Sequence, residues 1–241
     1  MEIVSSKRRP SFFLIMAIVG LFAAIVGFGK TFFLPVANGN FNAPFVLHLH
    51  GALAFAWIIL FVIQPTLIHF ENYRIHQYLG ILGILIAAGI SITMVPAGIF
   101  VVHRDLDKGL GEFAYSSLLG VITSGILFFS LVLAGILNRN SPETHKRLML
   151  LATIVVLWPA WFRFRHYFPS VPMPEIWFGL VLADSLIVIA WIWDKLKNGI
   201  IHPVLKYVGS FIIIEQSLEV ALFGTLTYQV VAKWFYDLLY S

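Results

Sequence analysis

Three histidines recur in the same short pattern, H-x-x-L, and each stands just before an apolar segment. They are His76, His145 and His202. The distribution of lysine and arginine described below places all three on the inner side of a membrane. Neutral imidazoles with a nearby carboxylate, here Asp194, suit zinc or non-haem iron. The pattern predicts an inner-face metal site of these four residues. The alternative is that each histidine is an interfacial residue at a helix start.

A second group of polar residues is expected at the outer face: His48, His50, His166 and Arg163. A b-type haem needs two imidazoles at similar depth on neighbouring helices. Haem b is therefore a second possible cofactor, with the inner histidines or the pair His50 and His166 as ligands. Against it, most of these histidines lie at the edges of apolar segments. The alternative is that each is an ordinary hydrogen-bonded interfacial residue.

Four polar side chains fall inside apolar segments: Gln64, Asp184, Glu215 and Glu219. Burying a carboxylate within a membrane costs free energy, so each such residue is a candidate functional residue. Each must be protonated, paired with a cation or in contact with water; otherwise it forms a buried hydrogen bond that fixes helix packing. We expect a central cavity for a proton or a small polar ligand. Its predicted lining is His50, Gln64, Thr123, Asp184 and Glu219.

The elements that must position these residues are apolar helices. Of the 241 residues, 59% are hydrophobic and 12% are charged, against about 25% charged in soluble domains. A membrane span needs about 20 apolar residues. The sequence predicts one all-α domain, a polytopic bundle of about seven transmembrane helices. These helices are expected near 11–34, 46–69, 77–100, 113–137, 147–168, 174–194 and 208–232.

The charges predict an orientation. With the N-terminus inside, ten lysines and arginines lie on the inner side and six on the outer side. This excess favours a cytoplasmic N-terminus and a periplasmic C-terminus. Because the basic residues flank apolar segments, the net charge of +4 indicates a lipid bilayer as partner and no nucleic acid. The absence of cysteine excludes disulfides, thiolate metal sites and covalently attached c-type haem.

Several motifs together resemble a family of bacterial inner-membrane proteins that has no established activity. The motifs are HLHG at 48–51, HQYLG at 76–80, HKRLMLLA at 145–152 and HP at 202–203. The resemblance covers roughly residues 46 to 208. It implies the helical architecture and an inner-membrane location, and it implies no reaction. The HKRLMLLA segment also resembles a helix start in small membrane proteins linked to cytochrome oxidase assembly.

Three functions are compatible with these features. The leading hypothesis is a histidine-based metal or haem site that acts in redox chemistry or in the assembly of respiratory complexes. The second is a proton-coupled transporter that uses the intramembrane carboxylates. The third is a structural subunit that associates with other membrane-protein subunits. The sequence contains no H-E-x-x-H, Walker A or G-x-S-x-G motif, so it does not indicate a catalytic residue or an enzyme class.

Overall fold

The computed structural model describes residues 11–240. Every regular element in that range is helical, which confirms the predicted all-α class. Six of these helices are long and apolar enough to cross a membrane, and a bent pair at the C-terminal end makes up to seven spans. The helices are α1 (Phe12–Ala37), α2 (Phe45–His69), α3 (Tyr73–Asp107), α4 (Phe113–Leu137), α5 (Pro142–His166), α6 (Glu175–Asn198), α7 (Val204–Leu222) and α8 (Leu226–Tyr240).

The predicted seventh helix, 208–232, is wrong as a continuous element. The chain bends by 100° between α7 and α8. The bend lets α8 pack across the ends of α3 and α4. There the Tyr236 hydroxyl lies 2.7 Å from Nε2 of His103, and the Tyr236 ring is tilted against the ring of Tyr115. Hydropathy runs through the bend without a change, so the apolar pattern alone predicts a straight helix.

The other helices match the predicted apolar segments, with differences at their ends. Helix α3 is the longest at 35 residues, or about 52 Å at 1.5 Å per residue. That exceeds a hydrocarbon core of about 30 Å, so polar residues such as Arg104 and Asp107 lie on turns beyond the apolar stretch. Helix α6 begins with the wide π-helical segment Glu175–Leu182, which ends two residues before Asp184. Wide turns of this kind are frequent at functional sites.

Helix α5 lies at the centre of the bundle, and α1, α4 and α6 pack around it. Its side chains Leu151, Ala152 and Ile154 are almost completely buried. Helices α1 and α5 approach very closely, because a Cβ atom at Gly27 would lie 2.2 Å from the carbonyl oxygen of Ala160. Small residues at such positions let helix backbones touch in a membrane.

Helix α7 is packed less tightly than α5. Its buried residues are Leu205, Gly209, Ile212 and Gln216, on one face. The opposite face of α7 exposes large apolar side chains such as Phe211 and Ile214, as lipid contact requires.

The bundle has two ends, and the end at which α1 begins is its N-terminal face. The N-terminal face holds Phe12, which stacks on Trp193, and the opposite face lies near Lys30.

Candidate functional site

Three carboxyl groups come together inside the bundle: Asp184 on α6, and Glu215 and Glu219 on α7. We call them the acidic cluster. Asp184 is 6% exposed, and its Oδ1 atom has no hydrogen-bond partner. Oε2 of Glu215 also has no hydrogen-bond partner. Glu215 lies within electrostatic range of both other carboxyls. Among residues 11–240, the ion pairs involve other residues, so no cation neutralises this cluster.

The carboxyl of Glu219 rests on helix α4. A Cβ atom at Gly120 would lie 2.2 Å from its Oε1, so a larger residue there would displace the carboxyl from this position. The hydroxyl of Thr123 lies 3.2 Å from Oε2 of Glu219 and 3.0 Å from the carbonyl of Gly120. That hydroxyl has one hydrogen for two acceptors. A protonated Glu219 would complete the network by donating its own hydrogen to the threonine oxygen.

Further polar atoms on the same helices are buried without a partner. They are Oγ of Ser116, one turn before Gly120 on α4, and Oε1 of Gln216, next to Glu215 on α7. The hydroxyl of Tyr228 on α8 is also buried without a partner, and it lies within electrostatic range of Glu215 and Glu219. Buried polar atoms without partners are rare and need a water, a proton or a ligand.

Sequence reasoning named the three carboxyls but missed Gln216 and Tyr228. Gln216 sits among apolar residues on α7 and had a readable signal, because a glutamine facing lipid is costly. Tyr228 had no signal in the sequence. It reaches the cluster only because the chain turns by 100° just before it, and the apolar pattern does not reveal that turn.

The structure divides the residues of the predicted central cavity between separate places. Thr123 and Glu219 meet, as described above. His50 instead bonds the hydroxyl of Thr93 on α3 at 3.0 Å. Gln64 donates from Nε2 to the carbonyl oxygen of His76 at 3.2 Å. One cavity lined by all five predicted residues is therefore not formed, and the acidic cluster is a smaller site between α4, α6 and α7, with α8 beside it.

The four predicted inner-face ligands also fall into two groups at the N-terminal face. The rings of His76 and His145 lie together, with centroids 6.4 Å apart. His202 is elsewhere, in the loop after α6, where its backbone N–H donates to Asp194 at 2.7 Å. Burial, followed by the positive charge of Arg147, lowers the pKa of His202 below its ordinary value.

Asp194 is fully occupied by other partners. It is completely buried and pairs with the guanidinium of Arg147, which is 1% exposed. Asn198 donates to it at 2.6 Å. In the part of the chain that the structure describes, no group of three or more His, Asp or Glu side chains could hold a metal ion. The metal site of His76, His145, His202 and Asp194 is therefore not assembled, since His145 and Arg147 point to different sides of α5.

The predicted outer-face residues lie at the opposite face but have different neighbours. The ring of His48 packs against Phe41. The carbonyl oxygen of His166 accepts a hydrogen bond from Lys30 at 3.1 Å. Arg163 donates to the carbonyl of Pro159 at 2.8 Å and pairs with no carboxylate in residues 11–240. These contacts fit the interfacial alternative.

Comparison with known proteins finds no relative of this chain. No protein-family model, no curated protein and no solved structure matches the chain. The resemblance to a bacterial inner-membrane family therefore stays a prediction. The chain is a multi-pass membrane protein by its helices, and its chemistry must be interpreted from its own residues.

Proposed function

We propose that this protein is a proton-coupled carrier of the bacterial inner membrane and that the acidic cluster binds the coupling proton. One observation carries the proposal. Three carboxyls meet among membrane-spanning helices without a cation in residues 11–240 to neutralise them. A carboxylate in a membrane must be paired, protonated or hydrated. Since pairing is absent here, proton binding or water contact has to stabilise the cluster.

The helices around the cluster differ in a way that suits a carrier. Helix α4 is anchored in the core through buried residues such as Leu118 and Phe128. Helix α7 has fewer buried residues and ends in a sharp bend. Broken helices line the binding sites of many secondary transporters. Protonation of the cluster removes the repulsion between Asp184 and Glu215 and lets α7 approach α6. Loss of the proton favours separation, and this change links proton binding to helix position.

The other hypotheses have less support. A redox role based on four convergent ligands would need His202 and Asp194 beside His145. In the structure, His202 and Asp194 lie apart from the pair His76 and His145. A structural subunit would need a surface for a partner, but the exposed apolar side chains of α1 to α7 suit lipid contact. We place the N-terminus in the cytoplasm and the C-terminus in the periplasm, because ten of the sixteen basic residues then lie inside.

The proposal is tested with the full chain in liposomes that enclose a pH-sensitive dye, with a potassium diffusion potential as the driving force. We expect a pH-dependent proton flux that the replacement Asp184→Asn abolishes. Asp107→Asn is the matched control, because Asp107 is an exposed acid at the end of α3, and it should keep the flux. Equal flux in Asp184→Asn and the unmodified chain would reject the proposal, as would equal loss in both variants.

The carrier part of the proposal has a separate readout. Small polar solutes added outside the liposomes should accelerate proton entry when they are co-transported. A solute that is accumulated against its gradient by an imposed pH difference would identify the substrate. A proton flux that no solute changes would indicate a simple proton conductance and would contradict the carrier mechanism.

A further inference from the structure

A pair of histidines lies at the N-terminal face, away from the acidic cluster. His76 is in the first turn of α3, and His145 is in the first turn of α5. Their ring planes are almost perpendicular, at 85°. In the described chain no hydrogen bond joins the two rings, so their proximity is not explained by direct bonding between them.

Each ring has a nitrogen that is available as an acceptor. Nδ1 of His145 lies 2.8 Å from the carbonyl oxygen of Gly135 on α4. A carbonyl only accepts, so Nδ1 carries the hydrogen and Nε2 keeps its lone pair. Nδ1 of His76 is buried and has no hydrogen-bond partner. Metal-binding histidines are commonly held in this way, with the second ring nitrogen donating to a backbone carbonyl.

A third acceptor comes from Gln64 near the end of α2. Its Nε2 atom donates to the carbonyl oxygen of His76 at 3.2 Å, which ties the amide to the start of α3. Its Oε1 atom is buried and has no partner. Two buried acceptors on contacting residues, with no donor, are costly unless a cation or a donor binds there.

The distance between the rings is close to that of two imidazoles that share one ion. A zinc–nitrogen bond is about 2.0–2.1 Å long, so two imidazole centroids that share an ion lie about 5 Å apart at a tetrahedral angle and about 6.4 Å apart at a linear one. The observed 6.4 Å is at the upper limit. A tetrahedral ion therefore requires the two rings to lie about 1 Å closer together than they do in this structure.

We propose that His76, His145 and Gln64 form a binding site for a transition-metal ion of the Zn²⁺ type, with water as the fourth ligand. Imidazole nitrogen is a preferred ligand of such ions. The site differs from the predicted four-residue site because His202 and Asp194 take no part. The bound ion would connect the ends of α2, α3 and α5, and Gly135 would connect α4 to the same point. This inference does not depend on the proposed proton function.

The test is a Zn²⁺ titration of the purified full chain in detergent against a chromophoric chelator, with metal analysis of the dialysed complex. We expect one Zn²⁺ ion per chain. His145→Asn is a suitable variant, because the asparagine amide can still donate to Gly135 while the Nε2 ligand is lost. His76→Leu removes the other ligand, together with the contact of the His76 ring with the Gln64 backbone. Each variant should weaken Zn²⁺ binding at least tenfold, by about 1.4 kcal/mol or more.

His202→Asn is the matched control, since His202 is at the same face but outside the site. It should bind Zn²⁺ as the unmodified chain does, and so should Asp184→Asn. Monodisperse elution of each variant in size-exclusion chromatography checks folding. The proposal is overturned by the absence of stoichiometric Zn²⁺, by equal affinity in His76→Leu, or by equal loss in the control. A haem absorption band that disappears with His145→Asn would also overturn it, since haem would then occupy the space between the rings.

Discussion

The buried ion pair between Arg147 on α5 and Asp194 on α6 gives a quantitative prediction. Both side chains are almost completely buried, at 1% and 0% exposure. Arg147 also donates to the Glu143 side chain at 2.5 Å. Asp194 receives further hydrogen bonds from Asn198 and from the His202 amide. Every charge in this group is thus compensated. Removal of Arg147 leaves Asp194 buried without a cation, and removal of Asp194 leaves Arg147 buried with the exposed Glu143 as its remaining ion-pair partner.

The expected cost follows from that burial. Breaking a buried ion pair by removing one partner costs about 3–5 kcal/mol, whereas replacing both partners with apolar residues of similar size is often neutral or stabilising. Arg147→Met and Asp194→Leu should therefore each lower the free energy of unfolding by about 3–5 kcal/mol. If the two effects were independent, the double variant would lose about 6–10 kcal/mol. We expect it to lose no more than either single variant.

The measurement is reversible unfolding of the three variants and the unmodified chain in mixed detergent micelles, followed by tryptophan fluorescence. Trp193 is next to Asp194 and stacks on Phe12, so the signal reports on this region. A double variant that loses the sum of the single effects would refute the reasoning, because the two side chains would then act independently. Single variants within about 0.5 kcal/mol of the unmodified chain would show that the pair is not buried.

The remaining predictions concern glycine packing and orientation. Gly120→Ala should keep the helix, since alanine favours helices. It should lower proton flux about fivefold, because the displaced Glu219 carboxyl loses its hydrogen bond with Thr123, which contributes about 1 kcal/mol. Unchanged flux would argue against that contact. Gly27→Ala should destabilise the chain by about 1–3 kcal/mol through overpacking against α5. Gly80→Ala is the control and should not destabilise it, because Gly80 has open space around it. Equal unfolding curves for the two variants would contradict the close approach of α1 to α5. In the cysteine-free chain, Asn140→Cys should resist an impermeant maleimide in intact cells while Lys108→Cys reacts, and the reverse labelling would invert the orientation.

The positions of the helices were largely predictable from the sequence. Helix α4 spans Phe113–Leu137 as predicted, and α2 begins one residue earlier than predicted. Local hydropathy determines such segments, because about 20 apolar residues are needed to cross the hydrocarbon core. The bend between α7 and α8 was not predictable in this way. It depends on contacts of Tyr236 and its neighbours with distant residues at the ends of α3 and α4.

The candidate sites were predictable in their residues and less so in their grouping. The H-x-x-L pattern gives the depth of each histidine along a helix but not its direction around the axis. His145 and Arg147 are two residues apart, about 200° around the helix, so the Arg147 ion pair with Asp194 lies on a different side from the His145 ring. The pairing of His76 with His145, and of Glu219 with Gly120, depends on helix order. A single sequence does not contain that order in a readable form.

The contrast between Asp194 and the acidic cluster argues that the cluster is more than a packing device. A buried polar group that fixes helix packing contributes stability only when its hydrogen bonds are satisfied, as those of Asp194 are by Arg147, Asn198 and His202. Asp184 and Glu215 each leave an oxygen without a partner, at a cost of about 1–3 kcal/mol per group. An apolar side chain at either position would avoid that cost and pack the same helices. The arrangement therefore makes physical sense when a proton, water or ligand completes it, which is the property that a coupling site requires.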